Sequence, residues 1–349
     1  WMVHYGKKNY YNPGLPEVRQ HFSNIIAELV TNYDIDAIHF DDYFYPYKVK
    51  DAVFNDSVAY EKYAKKDQRI DDWRRSNIDS LVKQSHETIK SIKPWVQFGI
   101  SPFGVWKNNA TDPRGSDTKA GQTTYEDLYA DPLLWMEKGW IDYLAPQVYW
   151  SIDLPVASHK KIVDWWANNN YGTNLYIGNG PYKIRNNSDS AWEDMRELPK
   201  QLELARETPQ ISGNIMFSAK SLMTDKEDVV DYIHKKFYEL SALNPISSLA
   251  KNHVTATPQL TNITQKDDEV LLEFADLKDM RYVLLYDSGR KVKEEYPIKK
   301  LQSKNFIKSG SNVIRIPKST NPKKYYSISF IDLYGVETKA TVINLKNIP

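Results

Sequence analysis

From Pro16 to Asn244 the chain alternates between two textures: charged, amphipathic stretches of helical length, and short apolar and aromatic runs that end in polar residues. That alternation is the pattern of βα units around a parallel sheet. Behind Pro16 and Glu17, residues Val18, Phe22, Ile25, Ile26 and Leu29 recur at helical spacing, which predicts a helix over 16–33. The run 35–42 reads as a strand that ends in two carboxylates. Further helices are expected over 56–92, 125–138, 158–169, 190–207 and 225–241. The last is capped by Thr224, with Asp225, Glu227 and Asp228 in its first turn. Further strands are expected at 95–101, 141–150, 174–178 and 213–218.

This makes five strand–helix units, whereas a closed (β/α)8 barrel of the TIM type needs eight. The expected fold is therefore an α/β, TIM-type barrel over 1–245 whose first units lie upstream of Trp1. Residues 1–6 would then be the tail of a missing unit, and a smaller open sheet is the alternative. The opening Trp1-Met2-Val3-His4-Tyr5 has no initiator and agrees with a piece of a longer protein. From about Pro245 the texture changes. Residues 270–274, 282–286, 312–316, 325–331 and 340–345 read as short alternating strands separated by turn residues. They predict a β-sandwich over 255–349, of the fibronectin type III or immunoglobulin type, joined by a linker at 242–254.

Charge narrows the function. Lys and Arg number 46 against 45 Asp and Glu, a net charge of +1. This balance gives no electrostatic reason to expect nucleic acid or an anionic membrane as partner. No apolar run approaches the ~18–20 residues of a membrane span. With no cysteine, disulfides, thiolate metal sites and cysteine nucleophiles are excluded. The seven histidines are scattered, none at metal-ligand spacing, and there is no nucleophile elbow and no phosphate-cradling glycine loop. No metal and no cofactor is expected. His39, inside a strand, reads as a satisfied core residue. The 10 Trp, 24 Tyr and 11 Phe mostly serve packing, yet sugar clefts also use flat aromatic faces, which raises carbohydrate as a partner.

In a barrel of this kind catalytic residues come from the C-terminal ends of strands and the loops after them. Asp41-Asp42-Tyr43-Phe44-Tyr45-Pro46-Tyr47 is such an end. Glycoside hydrolysis uses a carboxyl pair, one protonating the leaving oxygen and one acting as nucleophile or base. Successive strand residues point to opposite faces, so Asp41 and Asp42 are not expected to face one substrate as that pair. One of them serves instead as a helix cap or an ion-pair partner in the bland reading. After the next strand, Ser101 and Trp106 stand at the root of a long loop that holds Asp112 and Asp117. Gln147 and Tyr149 share one strand face, beside Trp150. Tyr182 follows the fourth strand, and Lys220 follows the fifth, where it either binds a substrate anion or begins the next helix.

Four ordered motifs carry a resemblance. They are Asn12-Pro13-Gly14 with Pro16-Glu17-Val18-Arg19, Asp36 to Pro46, Phe98 to Trp106, and Asp142 to Trp150. Over roughly residues 1–245 the chain resembles the bacterial glycosyl-hydrolase-like 10 family. The resemblance implies a (β/α)8 barrel, an extracytoplasmic setting (periplasmic, cell-surface lipoprotein or secreted) and glycosidase activity on a polysaccharide or glycan. The family's N-terminal units are not in this sequence, and a barrel short of them does not close. Chitinase-type barrels are more distant, and Tyr43 falls where their acidic Glu stands. The reading is a glycoside hydrolase with Asp41 and Asp42 as its carboxylate centre, one as nucleophile or base and the other orienting it or binding substrate, with the general acid left open and upstream of Trp1 as one alternative. Gln147, Tyr149 and Ser101 would bind substrate by hydrogen bonds, and Tyr43, Tyr45, Trp106, Trp150 and Tyr182 would supply stacking surfaces, with Lys220 as a further contact. The rivals are an inactive barrel that only binds glycan and an adhesion protein acting through its sandwich.

Overall fold

The computed structural model describes residues 1–224, 226–240, 242–250, 253–266, 268–287, 298–317 and 326–343. The chain divides into two compact units, Trp1–Ile233 and His234–Pro349.

The first unit opens with a hairpin, β1 (Met2–Tyr5) and β2 (Lys8–Tyr11), turned at Gly6 with φ 61°. Residues 2–5 are thus one strand of an antiparallel pair. Then come α1 (Pro16–Asn32), β3 (Ala37–Phe40), α2 (Ser57–Tyr63), α3 (Ile70–Ile92), β4 (Gln97–Ile100), α4 (Thr124–Asp127) and α5 (Pro132–Glu137). They are followed by β5 (Tyr143–Leu144), α6 (His159–Asn168), β6 (Asn174–Asn179), α7 (Glu197–Glu207), β7 (Ile211–Met216), α8 (Ala219–Leu222) and α9 (Glu227–Phe237). Strands β3 to β7 form one five-stranded parallel sheet in sequence order, with β3 and β7 at its open edges.

Four expected elements are broken: the helix over 190–207, which is a 3-10 turn at Ser190–Glu193 followed by α7, and three others, each for a local reason. The helix over 56–92 is interrupted between α2 and α3, where Asp67 takes φ 62°. The helix over 125–138 is split by Tyr129 at φ 54° and restarted by Pro132 at its first position. The strand over 141–150 pairs regularly only at Tyr143–Leu144 and continues as isolated bridges from Gln147 to Phe103 and Gly178. Pro146 has no N–H to give to a ladder there. Asp225, expected in the last helix's first turn, lies outside the described residues.

The core lies between the sheet and its helices. Ile26 and Val30 of α1, Ile78, Val82 and Ile89 of α3, and Ile162 and Trp166 of α6 close over Phe98, Ile100, Leu144 and Ile177. The other face carries His39, Gly99, Tyr143 and Tyr176. The Tyr143 ring covers Gly99 so closely that a Cβ there would meet it at 1.9 Å. It also stacks on His39, and its hydroxyl lies 2.9 Å from His39 Nδ1. His39 is therefore exposed on this second face, not a core residue.

The second unit holds β8 (Leu260–Lys266), β9 (Glu269–Phe274), β10 (Met280–Asp287), β11 (Leu301–Phe306), β12 (Val313–Pro317), β13 (Tyr326–Asp332) and β14 (Thr341–Ile343). They make antiparallel sheets of order β11-β10-β13-β14 and β12-β9-β8. One apolar cluster takes Val270, Leu272 and Phe274 from one sheet and Val283, Ile328 and Phe330 from the other. The Phe274 and Phe330 rings meet at 5.0 Å. Strands β8 and β11 were not expected. Both are polar edge strands, which carry no alternating signal. The expected strand residues Tyr325, Asn344 and Leu345 lie outside the described residues.

Candidate active site

The C-terminal ends of β3 to β7 and the segments after them surround a cleft of about 370 Å³. Both Asp41 and Asp42 line it, with Gln147 and Tyr149 across from them. The expectation that these neighbours face apart fails because β3 ends at Phe40. The chain bends at Asp42, so strand alternation no longer governs either side chain.

The two carboxyls have different surroundings. Asp41 is exposed, and its Oδ1 accepts the Gln147 Nε2–H at 2.7 Å and the Asp42 backbone N–H at 3.0 Å. Gln147 is held in turn by donating to the Ser101 carbonyl at 3.0 Å. Asp42 is only 2% exposed, and its Oδ2 accepts from the Tyr47 hydroxyl. Burial pushes the Asp42 carboxyl above the usual carboxylate range, and the Tyr47 hydrogen bond only partly offsets this. Burial likewise pushes the Tyr47 phenol up, and the Asp42 carboxylate beside it adds to the shift.

An aromatic wall stands beside the acids. Tyr149 and Phe217 stack at 6.0 Å, and Tyr182 meets both edge-on. Gly180 permits this packing, because a Cβ there would lie 3.0 Å from the Tyr182 ring and 3.2 Å from Tyr149. Trp150 and Phe103 form the opposite edge at 5.5 Å. Tyr43 stands at the rim against Tyr47.

Both walls hang on one buried polar chain. Asn214 Nδ2 donates to Asn179 Oδ1 at 2.8 Å, and Asn179 Nδ2 donates to Gln201 Oε1 at 2.9 Å. Gln201 Nε2 donates both to the Trp150 carbonyl at 3.1 Å and to Glu197 Oε1 at 2.9 Å. The Asn179 carbonyl accepts from the Phe217 N–H at 2.9 Å. Every member finds a partner, as buried polar groups must.

Four expected site residues lie elsewhere or act differently. Tyr45 is 2% exposed, with its ring against Phe54 and Tyr129 under Arg74, and so offers no face to a sugar. Trp106 is also buried: its Nε1–H donates to Asp131 at 3.1 Å and its ring stacks on Trp165. Ser101 contributes its carbonyl, and its side chain is not part of the cleft lining. Lys220 is exposed on α8, outside the lining. Asp112 pairs with Lys107 and Arg114, and Asp117 with Lys161, so both brace the loop. The sequence reading did not single out Tyr47, Phe103, Lys183 or Phe217. Each adjoins or shares a motif that it did name.

A larger apolar cavity, about 520 Å³, runs along the free edge of β3 between Tyr10, Phe22, His39 and Leu81, and shares Asp41 and Tyr43 with the cleft. It is lined by Asp41 but not by Asp42, whereas the smaller cleft is lined by both. Among the described residues no group of three or more His, Asp or Glu side chains could hold a metal ion. No helix among them is long and apolar enough to cross a membrane.

Glycosyl hydrolase YngK of Bacillus subtilis (strain 168) is 44% identical over 295 residues, covering 82% of this chain and 58% of the relative. Glycosyl hydrolase DigH of Escherichia coli (strain K12) is 39% identical over 245 residues, covering 68% of this chain and 55% of the relative. The chain thus spans little more than half the length of these relatives. The family model described as glycosyl hydrolase-like 10 matches residues 1–194, a stretch that contains Asp41, Asp42, Gln147, Tyr149 and Tyr182. The chain therefore belongs to the glycosyl hydrolase-like 10 family.

Proposed function

We propose that this chain carries the catalytic cleft of a glycosidase that cleaves O-glycosidic bonds of a polysaccharide or glycan. The observation that carries the reading is one cleft with two carboxyls in unlike settings, walled by aromatic rings. Asp42, buried and favoured in its neutral form, protonates the leaving glycosidic oxygen as the bond to the anomeric carbon breaks. Asp41, which receives two N–H donors, is the carboxylate that attacks the anomeric carbon or activates a water against it. The aromatic rings bind the C–H faces of sugars, and Gln147 fixes Asp41.

The same proposal includes closure of the parallel sheet into a (β/α)8 barrel by units upstream of Trp1. It is supported by the open edges of β3 and β7, by the poorer burial of these strands compared with β4 and β6, and by the exposed apolar residues Ile25 and Leu29 on α1. It also includes an extracytoplasmic setting, as the family resemblance implies. A fibronectin type III or immunoglobulin-like assignment for the second unit is supported by its two facing antiparallel sheets.

The test is reducing-sugar release from a panel of bacterial and plant polysaccharides by the protein with its upstream region, beside Asp42→Asn. Release from one substrate that falls by about 10²–10⁴-fold in the variant, with binding retained, is expected. No release from any substrate, with glycan binding equal in both proteins, would replace the enzyme with an inactive carbohydrate-binding barrel.

A further inference from the structure

Lys183 is the one cation among the residues that line the cleft. It ends a single 3-10 turn, Pro181–Lys183, directly after Tyr182. Its backbone is fixed: its N–H donates to the Gly180 carbonyl at 3.1 Å, and the next residue, Ile184, is buried. Its side chain is half-buried in the cleft. Lys48, Lys90, Lys107, Lys161 and Lys200 each pair with an aspartate. Lys183 Nζ has no hydrogen bond or ion pair among the described residues. Burial lowers its pKa, opposed only by the charge of Asp189. A partly desolvated, unpaired ammonium is unfavourable, and an anion brought by a ligand offsets that cost.

The surroundings define the anion. Tyr182, Tyr149 and Phe217 line the same cleft as this lysine, which favours a charge carried on a sugar over a free ion. The Asp41 carboxylate repels an anion from its own end of the cleft, which orients a charged sugar with its anion toward Lys183. One point-charge ammonium, without a guanidinium fork or a second cation, matches a single carboxylate better than a doubly charged phosphate. Resting on the glycan reading above, we propose that Lys183 and its aromatic neighbours form a subsite for a sugar bearing one carboxylate. The sequence had offered Lys220 for such a contact, and α8 places that residue outside the cleft.

The experiment is calorimetric binding of carboxylated oligosaccharides, each paired with its carboxyl-reduced form. It uses the Asp42→Asn protein with its upstream region, so that turnover does not enter. A charge-assisted contact predicts about tenfold or greater preference for the carboxylated form at low salt, shrinking as salt is raised. Adding Lys183→Met should make the two forms bind alike. Lys183→Arg should keep the preference, and so should Lys220→Met. Equal binding of both forms, or a preference that survives Lys183→Met in a variant with unchanged melting temperature, overturns the subsite and leaves the glycosidase reading standing. Binding of neither form by any pair overturns both. A charge preference in a wild-type protein without turnover overturns catalysis alone.

Discussion

Two regions of the first unit are built from the same materials and do different things. The cleft has Asp42 among Tyr43, Tyr149, Trp150, Tyr182 and Phe217. Behind the loop after β4, Asp79 and Asp131 stand among Trp106, Trp135, Trp165 and Trp166. In both regions burial pushes carboxyls upward: Asp42 at the cleft, and Asp79, to about 7, with Asp131 behind the loop. The difference lies in where the polar edges point. In the second region every indole N–H is committed: Trp106 to Asp131, Trp135 to Asp79, Trp165 to the Arg114 carbonyl and Trp166 to the Gly104 carbonyl. Lys107 and Arg114 cover the Trp106 ring from outside. In the cleft the Tyr149 and Tyr182 hydroxyls have no such partner among the described residues, and Phe217 is 56% exposed. An aromatic cluster with satisfied edges is a core, and one with open edges is free to receive a ligand.

The largest break in this comparison comes from deleting one ring on each side. Trp106→Ala removes a buried indole and leaves Asp131 without its donor, and should cost about 3–5 kcal/mol of stability, read by urea unfolding. Phe217→Ala, at an exposed ring, should leave stability within about 1 kcal/mol and weaken glycan binding about tenfold. Loss of glycan binding in a Trp106 variant that still unfolds at the wild-type midpoint would return Trp106 to the cleft.

The buried acids sharpen the contrast at intermediate size. The Asp79 carboxyl, at about 7 when folded, stands above its unfolded value of about 4. The folded state therefore holds a proton that the unfolded chain releases across that window. Stability from this group is complete below about pH 4 and is lost as pH rises toward 7. Asp79→Asn keeps an oxygen to accept the Trp135 N–H and removes the titration. The variant should be more stable than wild type at pH 7.5, on the order of 3 kcal/mol, with little difference at pH 4.5. Equal pH dependence of the two urea midpoints would contradict this.

Much of the site was legible because a strand end is a fixed address. From the run Asp41 to Tyr47, Asp41, Asp42, Tyr43 and Tyr47 line the candidate cleft, and from the run Gln147 to Trp150, Gln147, Tyr149 and Trp150 do. What was not legible depends on contacts distant in sequence. Trp106 and Tyr45 have the same type and placement as true cleft aromatics, and only Asp131, Trp165, Asp56 and Arg74 show them to be core. Lys183 stands out by lacking a partner, which no sequence displays. The five parallel strands were legible from their apolar runs, whereas β8 and β11, polar at the sheet edges, were not. The alternation rule failed at Asp42 because it holds only while the strand continues, and β3 stops two residues earlier.

The smallest perturbation asks which way the cleft carboxyl works. Burial raises the Asp42 carboxyl and the Tyr47 hydroxyl, donating to Oδ2, lowers it. Tyr47→Phe removes the lowering contact and keeps the ring against Tyr43 and Phe103. Asp42 should then hold its proton to higher pH. If Asp42 is the proton donor, activity is lost as it deprotonates, and the alkaline limb of kcat/KM against pH moves to higher pH in the variant. A base in this position would instead be switched on by deprotonation, and the acidic limb would move up. The rate at the optimum should change by less than about tenfold, the scale of one hydrogen bond. Displacement of the acidic limb, with the alkaline limb in place, would exchange the roles of Asp41 and Asp42 while leaving the cleft as the reaction centre.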